Sequence, residues 1–70
     1  EMLTERQRIV LEEVARLTES LGWPPTIREI GESLGISSTN GVRQHLKALE
    51  QKGYLIREPG TARGIRLTGE

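Results

Sequence analysis

Two four-residue signals, T-E-R-Q at Thr4–Gln7 and T-I-R-E at Thr26–Glu29, fix where helices can begin in this chain. In a capping box of this kind the threonine hydroxyl takes the N–H three residues on. The Gln or Glu side chain reaches back to the threonine N–H. Gly22, Gly35 and Gly53 supply the matching stops, because glycine accepts the left-handed conformation that ends helices. Between these marks the apolar residues recur with helical period. Val10, Val14, Leu17 and Leu21 form one stripe, flanked by Ile9 and Leu11. Ile27, Ile30 and Leu34 form the apolar face of a short second helix. Val42, Leu46 and Leu49 mark a third helix, which begins near Ser38 as N-cap and runs to about Lys52.

The remainder changes character. Tyr54-Leu55-Ile56 favours a strand, Glu58-Pro59-Gly60 a turn, and Ile65-Arg66-Leu67 alternates apolar and basic, which predicts a β-hairpin with its loop from about Glu58 to Gly64. The expected fold is mainly α with a small β-hairpin, a winged helix-turn-helix of three helices plus wing. It occupies residues 1–67, with Thr68-Gly69-Glu70 as a tail or the start of a linker. Gly31, in the middle of the short helix, costs roughly 1 kcal/mol relative to alanine. It is expected where another helix crosses closely; the alternative is a surface glycine. Trp23, the single tryptophan, precedes Pro24-Pro25. It is expected as a core plug rather than a base-stacking residue, because large aromatics dominate small cores.

Seventy residues make one domain. The chain has no cysteine and one histidine, so no disulfide, zinc site or cofactor is expected. No apolar run nears the roughly 18 residues of a membrane span, and no signal-peptide pattern opens the chain. A soluble intracellular domain is the expectation. His45 falls at the edge of the third helix's apolar side, where a partly buried, hydrogen-bonded role is expected. No nucleophile–base pair accompanies it, so no enzymatic activity is expected. The net charge of zero hides a division. Residues 1–35 carry four basic groups against seven acidic, and residues 36–70 carry six against three. An anionic partner is expected to meet the second half.

On a helical wheel at about 100° per residue, Asn40, Gln44 and Lys47 fall opposite Val42, Leu46 and Leu49, with Gly41 and Arg43 on the flanks. Asn and Gln can bond bidentately to adenine, and Arg and Lys to guanine. In helix-turn-helix proteins the start of the second motif helix reaches the base edges. Asn40, Gly41, Arg43 and Gln44 are therefore the candidate base-reading residues, while Ser38 can cap a helix start that favours a phosphate nearby. Arg28, Lys47, Arg63 and Arg66 are the candidate backbone contacts, although Arg66 fits a solubilising charge on an edge strand equally well. Gly64 is expected to allow close approach to a backbone. The rival reading is a winged-helix protein–protein interaction module without DNA binding, which zero net charge favours. Steep salt dependence separates the two.

The stretches "PPT-x-x-E-I", "HLKALxxKG" and "RGIRL", in that order and spacing, resemble the N-terminal DNA-binding domain of the LexA family of SOS-response repressors. The resemblance runs from Leu3 to Leu67. It implies a winged helix-turn-helix that binds palindromic operators in double-stranded DNA as a homodimer and represses DNA-damage genes. It places Ser38, Asn40, Gly41, Arg43 and Gln44 at base-reading positions, Thr26 near a phosphate, and the wing near Arg63 along the backbone. The best-known members carry acidic residues at the positions of Arg43 and Gln44, and alanines beside the asparagine. The turn before the third helix here also holds one residue more than the simplest helix-turn-helix pattern: with Gly35 as the turn glycine, Val42 arrives one place late. Full-length members also carry a self-cleaving serine–lysine protease domain with the main dimer contacts. None of these features falls within this sequence.

Overall fold

The computed structural model describes residues 3–58, 60, 61 and 63–68. Its elements are α1 (Glu5–Leu21), α2 (Ile27–Leu34), α3 (Thr39–Gln51), β1 (Leu55–Arg57) and β2 (Ile65–Leu67). The two strands pair antiparallel, with Leu55 opposite Leu67, Ile56 opposite Arg66 and Arg57 opposite Ile65. Three helices and a hairpin stand where the sequence places them. Pro59 of the expected turn and Gly69-Glu70 of the tail lie outside the described residues.

Both capping boxes close. Thr4 Oγ1 accepts from the Gln7 N–H, and Gln7 Oε1 accepts from the Thr4 N–H, each at 3.1 Å. In α2 the Thr26 hydroxyl accepts from the Glu29 N–H at 3.1 Å, and Glu29 Oε1 from the Thr26 N–H at 2.9 Å. The third helix starts differently. Ser38 holds the extended N-cap backbone, but its hydroxyl makes no cap hydrogen bond. Gly41 stands where a box would have its Gln or Glu, so no side chain returns to lock Ser38 in place. At the other end Gly53 adopts φ +88°. The Gly53 and Tyr54 N–H groups turn back onto the carbonyls of Glu50 and Leu49 at 3.0 and 2.9 Å, which closes the helix as a Schellman motif.

The apolar faces converge on one core. Val10 and Val14 come from α1, Ile30 from α2, Val42, Leu46 and Leu49 from α3, and Leu55 and Ile65 from the hairpin. None exceeds 2% exposure, and no polar or charged residue is buried among the described residues. Two expectations fail at the end of α1. Leu21 is 39% exposed, because the stripe runs past the layer it covers. Trp23 is 55% exposed and plugs nothing. The fully buried residue of that turn is Pro25. The stiff diproline directs Pro25 inward and leaves Trp23 outside.

Gly31 sits where α2, the turn and α3 meet. It is buried, and its carbonyl accepts from the Ile36 N–H at 2.8 Å. A Cβ at this position would lie 3.0 Å from the Ile36 carbonyl oxygen and 3.4 Å from Val42 Cγ2. The close approach expected of this glycine is thus real, and the turn backbone as well as α3 makes it. Farther out, α1 and α2 are joined by Glu13, which accepts from Arg16 and from the Ser33 hydroxyl.

Gly31→Ala should destabilise the domain by roughly 1–2 kcal/mol, because overpacking against a backbone oxygen outweighs the gain in helix propensity. Gly41→Ala is the control. Its Cβ would meet only Ile36 Cγ2 at an ordinary 3.6 Å, so it should stabilise by up to about 1 kcal/mol. Urea denaturation midpoints of the two variants should move in opposite directions.

Candidate nucleic-acid interface

The first two turns of α3 present the candidate reading face. Val42, Leu46 and Leu49 are fully buried, which fixes the helix's rotation. Ser38, Asn40, Arg43, Gln44 and Lys47 are consequently exposed, and Gly41 is half-buried against Ile36. Among the described residues no hydrogen bond or ion pair holds Asn40, Arg43, Gln44 or Lys47. Their donors and acceptors are therefore available to a partner. His45 is half-buried, as its wheel position predicts, but no described residue hydrogen-bonds it.

A cleft of about 350 Å³ opens beside this face, between the start of α2, the start of α3 and the hairpin. Thr26, Arg28, Thr39, Arg43 and Arg57 contribute to its walls. The first N–H groups of α2 have no intrahelical partner, and the helix dipole favours an anion there. Thr26 uses its oxygen as acceptor within the capping box, so its hydroxyl proton remains free to donate. Among the described residues Arg28 is held only by a long contact to Glu32, at 3.8 Å, with its side chain 84% exposed. Arg57 is not among the backbone contacts expected from the sequence. Strand alternation could have found it. Leu55 faces the core, so Arg57, two residues on, shares that side. It emerges at the loop end of the hairpin, paired with Ile65, in the cleft wall.

The wing cations divide. Arg66 lies on the outer face of the hairpin, opposite Ile56, with Glu58 3.7 Å away. Arg63 folds back onto the body. Its Nη1 and Nη2 donate to the two carboxylate oxygens of Glu29 at 3.0 and 2.8 Å. Nη1 also donates to the Pro24 carbonyl at 3.0 Å. The guanidinium lies 5.2 Å over the exposed Trp23 ring, within cation–π range. Gly64 follows at a point where a Cβ would come within 2.5 Å of the Glu58 carbonyl oxygen. The backbone that approaches it is thus the chain's own.

The Arg63 fork, followed by the Thr26 N–H, holds the Glu29 carboxyl below the usual carboxylate range. Hydrogen bonds from Arg16 and Ser33 do the same for Glu13. Among the described residues no His/Asp/Glu cluster could hold a metal ion, and no helix is long and apolar enough to cross a membrane.

A short helix, a turn, an exposed polar second helix and a hairpin bearing cations beside it define a winged helix-turn-helix of the DNA-binding class. A family profile described as the LexA DNA binding domain matches residues 1–64. The chain belongs to that family. It is 54% identical over all 70 residues to LexA repressor 2 of Geobacter sulfurreducens, covering 34% of that protein. It is 57% identical over 68 residues (97% of the chain) to the LexA repressor of Myxococcus xanthus, covering 31% of it. Over 63 residues, 90% of the chain, it is 60% identical to the LexA repressor of Anaeromyxobacter sp. strain Fw109-5, covering 27% of it. The chain thus spans about a third of the length of these curated relatives.

Because both carboxyls titrate below their unfolded values, their stabilisation is complete above the ordinary carboxylate pKa of about 4.3 and is lost as pH falls through the folded values. Thermal midpoints should therefore drop on acidification below that point. Glu29→Gln should remove part of the drop, which scanning calorimetry across pH 2–6 (about the carboxylate range) would register.

Proposed function

We propose that this chain is the operator-reading domain of a LexA-type repressor of DNA-damage genes. The observation that carries this reading is the unpartnered Asn40–Arg43–Gln44–Lys47 face of α3, mounted next to the cationic cleft at the start of α2. The face enters a major groove, where Asn40, Arg43 and Gln44 bond base edges and Ser38 and Gly41 let the helix start come close. A backbone phosphate occupies the cleft. It takes the Thr26 hydroxyl, the first N–H groups of α2, and the guanidiniums of Arg28 and Arg57. Lys47 and the exposed Arg66 add backbone charge.

Repression follows by occlusion. Two copies on a palindromic operator set their reading helices in successive major grooves about one turn apart and exclude polymerase. A domain with no net charge and few phosphate contacts binds a single half-site weakly, so pairing multiplies both affinity and specificity. Regions outside these 70 residues supply the pairing. The reaction is binding alone, on the chromosome in the cytoplasm, without cofactor or catalysis by this domain.

The test is an amide NMR titration with mixed-sequence duplex at low and high salt. Shifts confined to residues 38–47, the start of α2 and the wing, lost at high salt, support the reading. Still amides there, with a protein partner captured on the same face, would establish the interaction-module alternative. On a selected operator, Asn40→Ala and Gln44→Ala should each cost roughly 1–3 kcal/mol and relax preference at one base position. Lys47→Ala and Arg57→Ala should weaken all sequences alike and flatten the salt slope by about one unit each. A changed preferred sequence in either of the latter two would contradict the phosphate role.

A further inference from the structure

The Arg63 side chain is the basic group of the wing that the resemblance sets along the DNA backbone, yet the fold has already engaged it. Its two terminal nitrogens meet both oxygens of Glu29 at 3.0 and 2.8 Å, one of them also meets the Pro24 carbonyl, and the plane lies over Trp23. These partners lie 34 to 40 positions away in sequence, on the loop before α2 and on α2 itself. Within the wing, the Arg63 N–H donates to Thr61 Oγ1 at 3.2 Å, and the Glu58 N–H to the Gly64 carbonyl at 2.8 Å. Among the described residues the wing is therefore tied across its own loop and joined to the start of α2 and the loop before it through the Arg63 guanidinium. Thr61 and Arg57, which flank this attachment, both line the cleft.

We infer that Arg63 is a positioning residue for DNA binding: it acts through Glu29, Pro24 and Trp23 to hold the wing at the cleft, and not by contacting a phosphate. This rests on the DNA-binding reading above. A phosphate contact needs only a positive charge, which lysine keeps. A bidentate fork stacked on an aromatic ring needs a guanidinium. The two roles also give opposite signs for Glu29. Removing a carboxylate beside a polyanion strengthens binding if Arg63 is thereby released to the backbone. It weakens binding if Glu29 is the wing's anchor.

The variants are Glu29→Gln, Arg63→Lys and the pair together. Glutamine at this position preserves the capping box, as Gln7 does in α1, so the helix start survives. Affinity of the 70-residue chain for a mixed-sequence duplex at low salt is measured by fluorescence anisotropy, at a temperature where denaturation curves show each variant fully folded. Each single variant should bind roughly five-fold more weakly, and the double variant no more weakly than either alone, since both break one fork. In the free protein, heteronuclear relaxation at residues 60, 61, 63 and 64 should show increased motion in all three. Glu29→Gln binding as well as or better than the parent, or Arg63→Lys binding unchanged, overturns the inference and leaves the DNA reading standing. A parent chain that binds no duplex overturns both.

Discussion

Glu29 faces two ways at once. One carboxylate oxygen takes the Thr26 N–H and so closes the start of α2; the same oxygen and its twin take the guanidinium of Arg63. A single side chain thereby joins the helix-turn-helix to the wing. The two strands of the hairpin are only three residues each, too short to stand alone in water. Their burial through Leu55 and Ile65 fixes the base of the hairpin, and the Glu29–Arg63 fork fixes its tip. The cleft between them exists because both ends are held.

The rest of the domain is economical in the same way. Eight apolar side chains make the described core, and no buried polar group competes with them. With so little to bury, a chain of this size sits near marginal stability. Small geometric demands then carry weight. A methyl group at Gly31 would press against the Ile36 carbonyl at 3.0 Å, so the neighbouring backbone would have to give. The turn backbone packs directly on α2 there, and α3 approaches through the Val42 side chain.

The helices were legible in the sequence because their signals are local. A capping box, a glycine stop and a stripe of period 3.6 each lie within one turn or one helix, and Thr4, Thr26, Gly22 and Gly35 all do what their spacing predicts. Ser38 stands at the N-cap its residue type predicts, but it makes no side-chain cap bond, and its box partner position holds glycine. Trp23 misled because size argues for burial, whereas the neighbouring diproline decides direction. The reading face was legible as an outward-facing set, since burying Val42 and Leu46 leaves Asn40 and Gln44 nowhere else to point. The Arg63–Glu29 fork was not. It links residues 34 positions apart, and nothing in either neighbourhood distinguishes a cation that folds inward from one that reaches outward.

The isolation of the reading face from the fold has a consequence for how such a domain can change. Asn40, Arg43, Gln44 and Lys47 touch no described residue through a hydrogen bond or an ion pair, and the core side of the same helix is complete without them. Their replacement leaves folding free energy almost untouched, as is usual for exposed positions away from caps and cores. On the proposed operator-reading role, preference for one operator over another can therefore drift by exchanging three or four outward side chains, while Val42, Gly31 and the Glu29 fork keep the scaffold constant. The domain separates what it recognises from how it stands up.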